Sequence, residues 1–279
     1  MKPVNIVTVG DVRFGSGDMC LIAGPCVIET EEIALRTAEG IREATAALGI
    51  PVVYKSSYRK DNRSSLENYE GPGIEEGLRI LERVRSDFGM PILSDIHTPQ
   101  QAKAAGDVLD VIQIPAYLSQ QTELLQAAAA TGKPVNVKKG QFIAPEDMMN
   151  SVRKLEGSRC DQILLTERGA SFGYRQLVVD FRSLPEMRKH GYPVIFDATH
   201  AVRIYGKPSA DPAGGTPEHI PLLARAAVAA GCDGLFIETH PNPPSALCDA
   251  SSQYPLTQLA NLLGELKSIH DAWRSRVTT

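Results

Sequence analysis

No apolar run in this 279-residue chain approaches the roughly 20 residues that a membrane helix needs. The opening MKPVNIVTVGDVRFGSGD also has no basic start leading into a long apolar stretch. We therefore expect a cytoplasmic protein with no membrane partner. Charge of one sign is missing too: 29 Lys and Arg stand against 33 Asp and Glu, a formal net charge of -4. That balance offers no broad basic face for nucleic acid, although a local basic cluster can still bind a small anion. Cysteine is sparse. Cys20, Cys26, Cys160, Cys232 and Cys248 are odd in number and scattered, which excludes the dense, even disulfide framework of a small secreted fold. For each of them a buried small hydrophobe is the default. A G-x-G-x-x-G or Walker-type loop, a short-period repeat, a linker-like composition shift and a low-complexity segment are all missing, so we expect one domain over residues 1–279.

What the chain has is alternation. Short β-branched runs (CLIAGPC, PVVYKSS, PILSDIH, VIQIPA, PVNVKKG, QILLTERG, PVIFDATH and GLFIETH) are separated by Ala, Leu, Glu and Arg-rich stretches such as EEIALRTAEGIREATAALG and EHIPLLARAAVAAG. This is the pattern of parallel strands joined by helices. Pro51, Pro91, Pro134 and Pro193 open four of the runs, at a strand position where a missing N–H is tolerated. Eight β/α units over some 250 residues predict an α/β fold, a (β/α)8 TIM barrel. The segment VNIVTVGDVRFGSGD, within residues 1–18, alternates around Gly10-Asp11 and predicts an N-terminal β-hairpin placed to plug the bottom of the barrel.

Each run starts apolar and ends in residues that bind or react, at the end where barrel active sites are built. These are Cys26, Lys55 with Ser56 and Ser57, Asp95 with His97, Gln113, Lys138 with Lys139, Glu167 with Arg168, Asp197 with His200, and Glu238 with His240. Lys55, Lys138 and Arg168 in one mouth would repel one another without an anion between them, so the substrate should be strongly anionic. The RKDNRSS stretch, with Lys60, Asn62, Arg63 and Ser64, is either a solvated turn or a second phosphate cradle. Strands one, seven and eight are neighbours in a closed barrel, which lets Cys26, His200, Glu238 and Asp249 meet. Such a mixed donor set suits Zn2+, Fe2+, Mn2+ or Co2+ better than Mg2+ or Ca2+. The competing reading makes Cys26 a nucleophile with His200 as its base.

The ordered motifs GPC, YKSS, DNRSS, SDIH, IQIPA, NVKKGQF, LTERG, FGYRQLVVDFRSLP, DATH and FIETHP resemble those of 3-deoxy-D-manno-octulosonate 8-phosphate (KDO8P) synthases over nearly the whole chain. The chain is similar, more distantly, to 3-deoxy-D-arabino-heptulosonate 7-phosphate (DAHP) synthases, which typically carry a Lys-Pro-Arg-Thr type of motif where NRSS stands here. The resemblance implies a barrel, usually tetrameric, that condenses phosphoenolpyruvate with arabinose 5-phosphate and releases phosphate. It implies the metal-dependent form, marked by Cys26, with His200, Glu238 and Asp249 as the other metal ligands. Lys138 and Arg168, helped by Lys55 and Gln113, would hold phosphoenolpyruvate. Asn62, Arg63 and Ser64 would bind the sugar phosphate, with Ser57 and Lys60 as further substrate-binding candidates, and Asp95 and His200 beside Lys138 as catalytic ones. The alternatives are a synthase acting on erythrose 4-phosphate or another aldose, and an inactive sugar-phosphate-binding barrel. Two positions depart from the family. Gln120, in YLSQQTELL, stands where an Arg is usual, and Cys248 stands where a small residue such as Ser is expected.

Overall fold

The computed structural model describes residues 4–63, 65–171, 175–208 and 211–277. Two three-residue strands, β1 (Val7–Val9) and β2 (Val12–Phe14), pair antiparallel with Val9 opposite Val12. Gly10 takes a φ of 56° in the two-residue loop, a left-handed conformation that glycine adopts without steric cost and that such a tight hairpin demands.

Eight parallel strands follow, each leading to a helix: β3 (Cys20–Gly24) to α1 (Glu31–Ala46), β4 (Val52–Lys55) to α2 (Ile74–Phe88), β5 (Ile92–Asp95) to α3 (Gln101–Val108), and β6 (Val111–Ile114) to α4 (Thr122–Ala130). The second half repeats the scheme with β7 (Val135–Lys138) and α5 (Met148–Gly157), β8 (Ile163–Glu167) and α6 (Ser183–Arg188), β9 (Val194–Asp197) and α7 (Ile220–Ala229), and β10 (Gly234–His240). A short β11 (Tyr254–Pro255) runs into the last helix, α8 (Leu256–Val277). Strand β10 bonds to both β9 and β3, which closes the barrel. The expected α/β barrel with its N-terminal hairpin is what the chain forms.

Local chemistry sets the boundaries. Thr30 caps α1 by accepting from the Ile33 N–H at 3.2 Å, and α2 stops at Gly89, whose φ of 67° suits a helix C-terminus. Side chains along a strand point to alternate faces, and the apolar ones accordingly fall into two layers. Ile22, Val53, Leu93, Val111, Leu164, Ile195 and Phe236 point into the barrel, where Val7, Val9, Val12 and Phe14 of the hairpin join them. Leu21, Tyr54, Ile92, Ile112, Val137, Leu165, Phe196 and Ile237 point outward against the helices. The hairpin therefore plugs the barrel floor. Among the described residues no helix is long and apolar enough to cross a membrane.

Candidate active site at the barrel mouth

The same alternation builds the mouth. Two residues beyond the inward Val53, Leu93, Val111, Ile195 and Phe236 come Lys55, Asp95, Gln113, Asp197 and Glu238, all buried. Lys138 follows Asn136 in the same way, and Asn136 Nδ2 donates to Gln113 Oε1 at 3.0 Å. Polar side chains this deep need partners. Lys55 Nζ donates to Glu238 Oε1 at 2.8 Å and to the Cys26 carbonyl at 2.9 Å. Ser57 donates to Asp95 Oδ1 at 2.5 Å, while the other oxygen of Asp95 lies 3.0 Å from His97 Nε2.

Lys138 is a cation whose setting favours loss of its proton. Its Nζ donates to Asp197 Oδ2 at 2.5 Å and lies 3.3 Å from the centre of the Phe236 ring. Burial above all, reinforced by the charge of Lys55 and opposed by Asp197, pushes its pKa down to about 8. Arg168 donates to the Tyr205 hydroxyl at 2.5 Å, which also accepts from Gln141 at 2.5 Å. Lys55, Lys60, Lys138 and Arg168 line one cavity of about 280 Å3 together with Asn62, Asp95, His97, Gln113 and His200. A second cavity of about 510 Å3 shares Lys60, Asn62, Arg168 and His200 with the first and reaches Arg63, Arg203, Cys248 and Asp249. Two joined cavities lined by cations suit two small anions held side by side.

Strands β9, β10 and β3 are adjacent, and they bring the four candidate ligands together. Cys26 Sγ lies 3.3 Å from Asp249 Oδ2, and His200 Nε2 lies 3.6 Å from both Asp249 Oδ2 and Glu238 Oε2. Glu238 Oε2 is buried without a hydrogen-bond partner among the described residues, and Asp249 sits at a φ of 51°, a conformation few non-glycine residues adopt. An orphaned carboxylate oxygen facing an imidazole, a thiol and a second carboxylate is what a divalent ion of borderline softness would satisfy. His200 Nδ1 pairs with Asp197 Oδ2 at 2.7 Å, leaving Nε2 turned to the carboxylates. The charges of His200 and Lys55 hold Glu238 below its ordinary value against the opposing effect of burial. The nucleophile reading of Cys26 fares poorly. Burial, then Cys248 and the charge of Asp249, push its thiol well above its ordinary value, the reverse of what a free thiolate nucleophile requires.

In the loop after β4, Lys60 is buried and Asn62 lines both cavities. Arg63 lines the second cavity yet is engaged within its own loop, donating to the Leu66 and Asn68 carbonyls and to Glu70. Ser64 lies outside the described residues. Lys139 and Glu167 turn away from the mouth and pair with each other at 3.5 Å.

Three residues matter more than their sequence context indicated. Asp197 holds both Lys138 and His200, Tyr205 positions Arg168, and Arg203 donates to Asp249 Oδ1 at 2.8 Å. Asp197 carried a sequence signal, the end of an apolar run. Tyr205 and Arg203 stand in a loop with no periodicity to mark them.

A closed parallel barrel whose C-terminal mouth gathers cations beside a set of metal-type donors defines a class of enzyme that acts on small phosphorylated molecules. Within that class, the chain belongs to the DAHP synthetase I family, whose model matches residues 3–273. Its relatives include a Trichlorobacter lovleyi protein 53% identical over 264 residues, covering 94% of this chain and 97% of the relative. An Acidithiobacillus ferrooxidans protein is 55% identical over 249 residues, covering 89% and 88%. A Nitratidesulfovibrio vulgaris protein is 52% identical over 249 residues, covering 89% and 91%. All three are named 2-dehydro-3-deoxyphosphooctonate aldolase.

Proposed function

We propose that this protein condenses phosphoenolpyruvate with D-arabinose 5-phosphate and water to give 3-deoxy-D-manno-octulosonate 8-phosphate and inorganic phosphate. The observation that carries the reading is the pair of cationic cavities meeting at Lys60, Asn62, Arg168 and His200, in a chain whose relatives carry that aldolase name. Lys138 and Arg168, with Lys55 and Gln113 deeper in the mouth, hold the phosphate and carboxylate of phosphoenolpyruvate. Lys60, Asn62 and Arg63 hold the sugar phosphate from the second cavity. Clamping both anions places C3 of the enol against the aldehyde carbon, an effect worth several kcal/mol of the barrier. The C3–C1 bond forms, water adds at C2, and the tetrahedral intermediate collapses by breaking the C2–O bond to phosphate. Lys138, with its proton held near neutral pH, is placed to protonate the departing phosphate oxygen. Cys26, His200, Glu238 and Asp249 would hold a divalent ion such as Zn2+, Fe2+, Mn2+ or Co2+, which when bound supplies Lewis acidity at the aldehyde or the water. The same reading carries a homotetramer, supported by the exposed apolar side chains of Leu66 and Phe142 on loops of the mouth.

The test is product formation from phosphoenolpyruvate with each of two aldoses. Turnover with arabinose 5-phosphate is expected, and turnover with erythrose 4-phosphate alone would overturn the assignment.

A further inference from the structure

One thiol at the mouth has no part in the chemistry above. Cys248 Sγ lies 3.2 Å from Cys26 Sγ, and Cys248 lines the second cavity. Cys26, Cys248 and Asp249 offer donor atoms that all lie within 4.8 Å of one another, as do His200, Glu238 and Asp249. The two groups share Asp249, so the two triads meet at that carboxylate and place five donor residues along one side of the mouth. We propose that Cys248 is a second thiolate ligand of the metal site, which makes the site one for a thiophilic divalent ion.

Three features support this. The first is spacing. Donors that sit roughly 2.0–2.3 Å from a common ion stand about 3.3–3.8 Å apart in tetrahedral geometry. The separations of 3.3 Å from Cys26 Sγ to Asp249 and 3.6 Å from His200 to each carboxylate fall in that range, and the two sulfurs, at 3.2 Å, would open by about 0.5 Å to take an ion between them. The second is backbone architecture. Gln253, buried, accepts from the Cys26 N–H at 3.1 Å and donates to the Cys248 carbonyl at 2.9 Å. One side chain thus ties the two thiol-bearing segments to each other across 222 positions of sequence. Adjacent side chains diverge in regular backbone, but the left-handed conformation of Asp249 leaves both Cys248 and Asp249 in reach of the Cys26 sulfur. The third is charge. Two thiolates and two carboxylates exceed the charge of a dication by two. Lys55 on Glu238 and Arg203 on Asp249, each at 2.8 Å, supply that compensation, with the buried Lys60 close by. A second soft donor shifts preference toward ions such as Zn2+, Co2+ or Cd2+ and away from Mn2+.

The proposal rests on the metal-dependent reading above, and the experiment separates the two. The full chain is loaded with Co2+, and the near-ultraviolet thiolate-to-cobalt charge-transfer band is measured per bound ion. Wild type should show about twice the intensity of either Cys248→Ser or Cys26→Ser, since each keeps one sulfur. An undiminished band in Cys248→Ser would overturn the proposal while leaving the metal site intact. Absence of any thiolate band in wild type would overturn the metal reading and this proposal with it. Should a variant fail to fold, thiol counting on the unmodified chain decides: bound Co2+ should protect two cysteines from a disulfide reagent, and protection of one would refute the assignment.

Discussion

Lys138 lies between an anion that holds its proton and a desolvated setting that releases it. Its pKa of about 8 lies below the ordinary lysine range, so the cation is fully present at lower pH and is lost as the pH rises through about 8. Phosphoenolpyruvate binding should weaken over that range, visible as a rising KM. A KM flat through pH 8 would remove Lys138 from the anion site. The fold responds in the opposite sense: the unfolded chain binds more protons above pH 8, so this group's contribution to stability grows as the pH climbs toward the ordinary lysine value. Asp197 opposes the depression. Asp197→Asn should therefore move the break to lower pH, and by freeing both Lys138 and His200 it should cost about 100-fold in kcat. An unshifted break would show that the carboxylate does not set the proton affinity of Lys138. Gln120 is a quieter case. It is exposed, with its carbonyl accepting from Lys154 Nζ at 2.7 Å, and a neutral amide cannot match the charged fork of Arg. Under the proposed function Gln120→Arg should lower the KM for arabinose 5-phosphate about tenfold, the scale of one charge-assisted hydrogen bond. No change in KM would mean that other groups already satisfy that phosphate.

The β1–β2 hairpin and the end of β3 show how elements far apart in the barrel divide stability from chemistry. Phe14 is fully buried in the interior layer, so Phe14→Ala should cost about 3–5 kcal/mol. Denaturant titration measures that loss, and both KM values should stay put because the floor lies at the opposite end from the mouth. Gly24 behaves differently. A Cβ there would meet the Lys55 carbonyl oxygen at 1.8 Å, so Gly24→Ala must push β3 from β4 and with it the Lys55–Glu238 pair. It should lower stability and kcat/KM together. A variant with wild-type kinetics would show that the mouth tolerates movement of Lys55.

The chain as a folded body carries a net charge of -4, yet its mouth concentrates Lys55, Lys60, Lys138 and Arg168. The barrel achieves this because eight strands deliver their last inward residue to one rim. Four candidate ligands from three adjacent strands and a later loop complete that rim. Chelation of the purified protein should abolish turnover, and a divalent transition ion should restore it. Full activity after chelation, with no metal copurifying, would contradict the metal-dependent form.

The alternation of eight short β-branched runs with helical stretches, four of the runs opened by Pro, was enough to read the barrel, because parallel strands need a crossover between them. The polar ends of those runs marked Lys55, Asp95, Gln113, Lys138 and Glu238 as rim residues, since barrel strands deliver their C-terminal ends to one mouth. Sequence also marked Cys26 as a candidate ligand and Cys248 as a departure from the family, but not their separation of 3.2 Å. That required the barrel to close β10 onto β3 and the loop after β10 to turn at Asp249. The assignment of Asp197 to both Lys138 and His200, the engagement of Arg63 within its own loop, and the pairing of Arg203 with Asp249 were likewise decided by tertiary structure. Those contacts join loops whose conformations follow from packing and charge compensation and leave no period in the sequence.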